Sequence, residues 1–341
     1  MLRVFFFFLF LVSPLMASVK TSGFLDTYYA WDFNRPQNNK RLYTTQPDRH
    51  NEPGINLVYG DVVLDRENVR GRLALQAGNS VTRNTEVENR DLRYIQEAFV
   101  GTKISEKTWI DAGVFLGHIG AESWVSKDNW TYTRAINLDY VPYYATGLRV
   151  THENFQVYLM NGWQNIREDN KAKALGIQWK KNFRENLKFT YNNFFGDEEV
   201  VSSRARFRAY HNFVLQWNRD ERWQYLSAFD FGHQSQQKNS GVDPWWAVTF
   251  TARRILDEIR SVAMRVEYYS DPHEANIRTR ERRGFQVAGA SVNFDQKLAR
   301  NVLWRNEVRG FSSRERIYPG KNQTRSYLDS FFVTSLSLLL E

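Results

Sequence analysis

Segment after segment of this chain alternates apolar with polar side chains over about ten residues, the period of a strand with two unlike faces. Phe207, Ala209, Phe213, Leu215 and Trp217 share one face of such a stretch, and Arg206, Arg208, Tyr210, Asn212 and Gln216 the other. Val69, Gly71, Leu73, Leu75 and Ala77 stand against Arg70, Arg72, Ala74 and Gln76. Leu175, Ile177 and Trp179 oppose Gln178 and Lys180, while Leu187, Phe189 and Tyr191 oppose Lys188, Thr190 and Asn192. Val262, Met264, Val266 and Tyr268 oppose Ser261, Arg265 and Glu267. Val302, Trp304 and Val308 oppose Arg305, Glu307 and Arg309, and Phe332, Leu336, Leu338 and Leu340 oppose Ser335 and Ser337. Residues 56–65, 94–103 and 285–294 are mixed and follow no clean alternation.

A soluble sandwich also alternates, so the placement of charge decides more than the period does. Arg, Glu and Lys recur in mid-strand opposite large aliphatic and aromatic residues, as a lipid-facing exterior around a wet lumen requires. The connections add a rhythm. Short links near residues 65–68, 104–108, 152–154, 181–186, 218–222, 254–258 and 295–300 take turns with long ones near 34–54, 78–91, 118–142, 161–173, 196–203, 232–244, 270–282 and 312–325. Tight turns on one rim and long loops on the other characterise outer-membrane barrels. The pattern predicts an all-β fold: a transmembrane antiparallel up-and-down β-barrel of about sixteen strands, with short periplasmic turns and long extracellular loops. Trp109, Trp163, Trp179, Trp217, Trp223, Trp246 and Tyr268 fall near predicted strand ends, where aromatic girdles belong.

The N-terminus agrees with export. Arg3 precedes the apolar run Val4 to Val12, Ser13 and Pro14 break it, and Ala17 offers a cleavage position, which is the layout of a signal peptide over residues 1–17. The remaining residues 18–341 are expected to form a single outer-membrane β-barrel domain. No later window approaches the roughly 18 apolar residues a spanning helix needs, so membrane residence would require a closed barrel. Composition then removes other classes. With no Cys among 341 residues there is no disulfide framework, thiolate metal site or Cys nucleophile. The net charge of +8 is carried by dispersed Arg, unlike the clustered patch of a nucleic-acid binder.

Several stretches resemble the β-barrel porin family 2, the OmpL-like group of bacterial outer-membrane proteins. The segment from Gly23-Phe24-Leu25-Asp26 to Asn34-Arg35-Pro36 is similar to that family's opening strand, and Ile95-Gln96-Glu97-Ala98-Phe99-Val100 to its fourth. His118-Ile119-Gly120-Ala121-Glu122, then Asp128-Asn129-Trp130-Thr131-Tyr132-Thr133-Arg134, Pro142-Tyr143-Tyr144 and Gly147-Leu148-Arg149 resemble its central loop and following strand, and Asn161-Gly162-Trp163 continues the likeness. The resemblance is good over about residues 20–195 and thin afterwards. It implies a single-domain porin-like barrel. One departure is the C-terminal Leu339-Leu340-Glu341, where barrels of this kind usually end in an aromatic residue read by the assembly machinery.

The loop near 117–142 is the most informative segment for function. Glu122, Trp124, Lys127, Asp128, Trp130, Tyr132 and Arg134 make it too polar for lipid contact and too aromatic for a merely solvated loop. It is expected to fold into the lumen and narrow it, a ring of mixed charge filtering solutes by size and sign. The bland reading is an extracellular cover. Further lumen candidates are Asp26, Asp32, Glu97, Asp111, Arg149, Arg206, Arg208, Arg253, Arg265, Glu267, Arg305, Glu307 and Arg309, with Arg slightly in excess and hence a weak anion preference. Many of these charges are also expected to pair across neighbouring strands and brace the wall. His50, His118, His152, His211, His233 and His273 are scattered without metal spacing, and no nucleophile elbow or phosphate-cradling loop occurs. Only His118 near Glu122 could be an acid/base couple. The reading is a passive water-filled porin for ions and small hydrophilic solutes, without cofactor, metal or catalysis. Its expected partners are outer-membrane lipid, lipopolysaccharide and the barrel-assembly machinery, with a homo-oligomer possible and no nucleic acid. The alternatives are an exported soluble β-rich carbohydrate binder, or a barrel with an enzymatic or structural role.

Overall fold

The computed structural model describes residues 19–168, 170–198, 206–236 and 241–340; residues 1–17, read from the sequence as a signal peptide, lie outside them. Alternating faces become sixteen barrel strands. They are β1 (Val19–Asp32), β2 (Pro53–Asp65), β3 (Val69–Ala77), β4 (Ile95–Ser105), β5 (Thr108–Leu116), β6 (Tyr144–His152), β7 (Phe155–Met160) and β8 (Ala174–Arg184). After these come β9 (Leu187–Asp197), β10 (Phe207–Asn218), β11 (Trp223–Ser235), β12 (Val242–Ile255), β13 (Arg260–Asp271), β14 (Phe285–Ala299), β15 (Val302–Ser313) and β16 (Leu328–Leu340). Each strand pairs antiparallel with its chain neighbours, and β1 closes the sheet on β16 from Gly23↔Leu340 to Asp32↔Phe331. Closure leaves no sheet edge, which is how a β-structure satisfies its backbone away from water.

The two mixed stretches in β2 and β4 have a common cause. Asp26 pairs with Leu57 and Thr27 with Ile55, so Asn56 is an extra residue; Ala74 pairs with Glu97 and Leu75 with Ile95, so Gln96 is another. Each bulge turns two consecutive side chains inward: Asn56 with Leu57, and Gln96 with Glu97 are all buried. In β14 the register from Val287 to Lys297 is regular. Its alternation is obscured because the inward face begins with apolar Phe285 and Val287, while Ala288 and Ala290 face outward.

Short turns and long connections occupy opposite rims. The turns are tighter than the sequence suggests, since β8 runs to Arg184 and β14 to Ala299, which makes Asp295 a wall residue. The described helix α1 (Asn79–Asn84) belongs to the second long loop, and no described helix is long and apolar enough to cross a membrane. Outward positions such as Leu73, Val100, Leu148, Leu215, Val248, Val266 and Val308 form an exposed apolar band. Trp217 and Trp223 stand near the short-turn rim and Trp246 beside Tyr268 toward the other, but Trp179 lies in mid-strand. Trp163 is no girdle residue: it lies in a loop with its ring edge-on to Phe194 and Tyr210 inside the barrel. Much of the interior is filled by an apolar cluster to which the wall contributes most residues and the loops the rest.

Candidate functional site

The connection between β5 and β6 enters the barrel rather than covering it. Its two ends are tied at the long-loop rim, where the Gly117 amide donates to the Tyr143 carbonyl at 2.7 Å. The strands approach so closely that a Cβ on Gly117 would stand 1.9 Å from the Pro142 oxygen. The loop then runs down to a 3-10 turn at Ser126–Asp128 and returns through a second one at Ile136–Tyr140. At the lower turn, Ser126 Oγ donates to Asp26 at 2.8 Å, and Arg305 donates to the Ser126 and Asn129 carbonyls. Lys127 and Asn129 border a cavity of about 230 Å³ with Asp257 and Arg260 of the short-turn rim, so the loop spans most of the barrel height. Ile119, Tyr132, Ile136, Leu138 and Val141 pack on wall residues that include Tyr158, Tyr210, Trp245 and Tyr269.

The middle of the loop is bolted to the β13–β15 wall by charge. Arg265 lies 3.5 Å from Glu122, 3.5 Å from Glu267 and 3.1 Å from Glu307. It also donates to Thr131 Oγ1 at 2.8 Å and to the Thr133 carbonyl and hydroxyl at 2.7 Å each. Glu307 accepts from the Thr133 amide at 2.7 Å and from its hydroxyl at 2.9 Å. Arg309 pairs with Glu267 at 2.6 Å and donates to Thr133 Oγ1 at 2.9 Å and to the Arg134 carbonyl at 2.7 Å. Glu267 in turn accepts from the Ile136 amide at 2.6 Å. Four charged wall side chains thus converge on residues 131–136, with Arg265, Glu307 and Arg309 at most 1% exposed. Such buried pairs persist because the charges are matched and nearly every donor is used; Arg265 Nε, 3.5 Å from Glu267, is the exception and makes no hydrogen bond among the described residues.

Other candidates brace the wall. Asp111 receives Arg70 at 2.6 Å and Arg149 at 2.9 Å. Arg72 bridges Asp61, at 2.8 Å, and Glu97. Asp32 and Asp329 share Arg41, each at 2.9 Å, which draws the first long loop inward as well. Arg253 contacts Ser261 at 3.3 Å, and Arg134 pairs with Asp139 inside the loop itself. Of the candidates read as wall residues, Arg206 is not one, since it precedes β10 at the long-loop rim; of the loop candidates, Lys127 and exposed Asp128 pair with each other at the opposite mouth. His118 and Glu122 do not form a couple: His118 hydrogen-bonds to the Asn193 carbonyl at 2.8 Å and stacks on Tyr158, while Glu122 accepts from the Ala135 amide. Among the described residues no group of His, Asp and Glu could hold a metal ion.

The β8–β11 wall is different in kind. Here amides meet the loop: Gln178 donates to Asn192 at 2.9 Å and to the His118 carbonyl at 2.8 Å, Asn192 to Asn212 at 2.7 Å, and the Gly120 amide to Asn212 at 3.3 Å. Asp230 accepts from Tyr210, Asn212 and the loop's Asn137. Along β10, Arg208 borders an outer cavity of about 430 Å³, while Val214 and Gln216 border an inner one of about 210 Å³ with Lys180 and Lys188. Tyr210 and Asn212, between them, are at most 1% exposed. The loop therefore stands as a septum between an outer and an inner space. Arg70, Arg72 and Asn212 belong to polar faces that the alternation marks; Asp61 is hidden by the β2 bulge, and Arg41 by its place in a loop.

Comparison with known proteins places this geometry in context. The family model described as "Putative beta-barrel porin-2, OmpL-like" matches residues 18–340. No curated protein matches the chain significantly. Among solved structures, OmpT of Vibrio cholerae is similar with a TM-score of 0.61 at 9% identity, over 94% of this chain and 97% of that one. An anion-selective porin from Comamonas acidovorans gives 0.62 at 8% identity, over 95% and 99%. The outer membrane channel DcaP of Acinetobacter baumannii gives 0.62 at 8% identity, over 96% and 99%. At such identities the likeness is one of fold.

Proposed function

Because the chain belongs to the OmpL-like β-barrel porin-2 family, we propose that it is an outer-membrane channel through which ions and small hydrophilic solutes diffuse, narrowed by its own loop of residues 117–143. Diffusion down a gradient needs no energy source, cofactor or covalent step; the protein's part is to hold a polar path through lipid and to filter by width and charge. The reading rests above all on that loop, threaded through the barrel and held by Arg265, Glu267, Glu307 and Arg309. The apolar outer band supports residence in lipid, and the polar interior supports a wet path once the loop gives way. On the wall, arginines do not outnumber carboxylates once Asp61, Asp230, Asp295 and Asp329 are counted, so the weak anion preference expected from the sequence has no support from the charge balance, and reversal potentials in a salt gradient would test it.

The deciding experiment is a deletion of residues 121–134, compared with the intact chain by single-channel conductance in planar bilayers. The shortened loop loses the hub and the lower turn, so conductance is expected to rise several-fold. Unchanged conductance removes the constriction. Fractionation checks the location: the chain is expected in outer membranes, with a gel mobility that shifts on boiling.

A further inference from the structure

The outer cavity of about 430 Å³ holds a cation with no ion-pair partner among the described residues. Two acidic residues border it, and both already have partners. Asp139 takes Arg134 at 3.2 Å, the Thr45 hydroxyl at 2.7 Å and the Tyr143 hydroxyl at 3.1 Å; Glu86, largely in solvent, sits 3.6 Å from Arg83. Arg208, only 8% exposed, has no carboxylate within ion-pair distance among the described residues. Its Nη2 donates to two neutral acceptors, Gln234 Oε1 at 2.7 Å and the Ala275 carbonyl at 3.3 Å, and its Nε has no partner. A buried guanidinium whose hydrogen bonds go only to neutral acceptors is costly; Glu198 and Asp271 act on Arg208 from beyond ion-pair distance, whereas every other strongly buried Arg among the described residues has a carboxylate in contact.

Its surroundings fix its plane. The guanidinium carbon lies 4.8 Å from the Trp163 ring centre and 5.4 Å from that of Trp245, and Trp163 is itself held edge-on by Phe194 and Tyr210. Stacking on indole leaves the in-plane N–H groups for pairing, and since Nη2 already serves Gln234 and Ala275, Nη1 is the donor that remains for a carboxylate. Beside it, the cavity is walled by the rings of Tyr43, Tyr140 and Trp163, and the hydroxyls of Tyr43 and Tyr140 make no hydrogen bond among the described residues. A flat ring is the shape those walls accept.

We propose that this vestibule binds a small organic carboxylate bearing one flat ring, its anionic end on Arg208 and its ring against Trp163, Tyr43 and Tyr140. The inference rests on the channel reading for its purpose, as the capture step of a solute on its way inward. Lys180 and Lys188 border the inner cavity beyond the septum, where Glu122, already engaged by Arg265 at 3.5 Å, is the one acidic lining residue.

Benzoate is the probe, benzamide its neutral isostere and chloride the inorganic control, titrated by ligand-observed NMR against the full-length barrel in detergent. Benzoate is expected to bind saturably, and benzamide at least about tenfold more weakly, as for a lost charge-assisted pair. Arg208→Gln, checked for its heat-modifiable mobility, is expected to weaken benzoate by about tenfold or more and to leave benzamide unchanged. Should that variant fail to fold, Arg208→Lys keeps the charge and is expected to weaken benzoate less, because the stacked fork is lost. Equal binding of benzoate and benzamide, no saturable binding below about 10 mM, or a folded Arg208→Gln that binds like the parent overturns the proposal. Conductance is recorded in parallel. Saturable binding without conductance keeps the site and removes the channel, whereas conductance without binding removes the site alone.

Discussion

Arg265→Met is the sharpest test of how the loop is held. The side chain is fully buried, and it joins three carboxylates at 3.1–3.5 Å to three loop oxygens at 2.7–2.8 Å. Removing one member of a buried ion network costs roughly 3–5 kcal/mol, because the partners keep their desolvation and lose their counter-ion. Part of that loss falls on the barrel wall, since Glu267 retains Arg309 at 2.6 Å. Glu307 and Glu122 have no such substitute among the described residues, and both meet the loop or belong to it. If about 3 kcal/mol falls on docking, the undocked fraction rises by roughly a hundredfold. Single-channel records of the variant are expected to show transitions to a larger conductance, and trypsin is expected to cut after Arg134, which the parent buries. Thr133→Val keeps all the charges but loses the hydroxyl that bridges Glu307, Arg265 and Arg309, so its effect is expected to be smaller, about 1–2 kcal/mol. A folded Arg265→Met barrel with parental conductance and parental trypsin resistance would refute the reasoning, because the hub would then brace the wall and not the loop.

Three further outcomes separate wall from loop. Asp111→Asn leaves Arg70 and Arg149 without their shared carboxylate and is expected to cost about 1–3 kcal/mol, lowering the temperature at which the gel mobility shifts while conductance stays the same. Gly117→Val drives a side chain into the Pro142 carbonyl at the base of the loop and is expected to alter conductance in bilayers without preventing barrel formation. Val266→Arg places a charge on the apolar outer band and is expected to cost about 2–4 kcal/mol and reduce outer-membrane yield. Ser335→Arg, on the inward face of the last strand, is expected to spare membrane insertion, and equal losses for the two would contradict the assignment of faces.

The barrel was legible because its two determinants are local: period-two alternation, and the switch between short and long connections. Met264 and Val266 against Arg265 and Glu267 need no tertiary information to be assigned to opposite faces. Local logic failed where an extra residue interrupts the period. Asn56 and Gln96 are bulges, and one inserted residue reverses the face of everything beyond it. It failed again with Trp163, since a Trp at a strand end reads alike whether it meets headgroups or the inside of a barrel. The loop's polarity and aromatic content pointed inward, but its contacts were beyond reach. That Thr133 meets Glu307, 174 residues away, depends on barrel closure and not on any neighbouring residue. Arg41 was missed for the same reason: its partners Asp32 and Asp329 come from the first and last strands.

The choice of contacts along the loop bears on how a filled barrel would conduct. An apolar plug in an apolar lumen would be held by area alone, and withdrawing it would expose greasy surface on both sides to water. The charged hub behaves differently. Docked, Arg265, Glu267, Glu307 and Arg309 gain from each other and from the loop but forgo hydration; undocked, they regain water, so the two states differ by less than the number of contacts suggests. The amide wall of Gln178, Asn192 and Asn212 adds to this balance, because each of its bonds to the loop is exchangeable for one to water. The apolar residues Ile136, Leu138 and Val141 supply the bias toward the docked state. Polar bonds thus set where the loop sits and apolar contacts how long it stays, and a lumen lined in this way would be wettable were the loop to move.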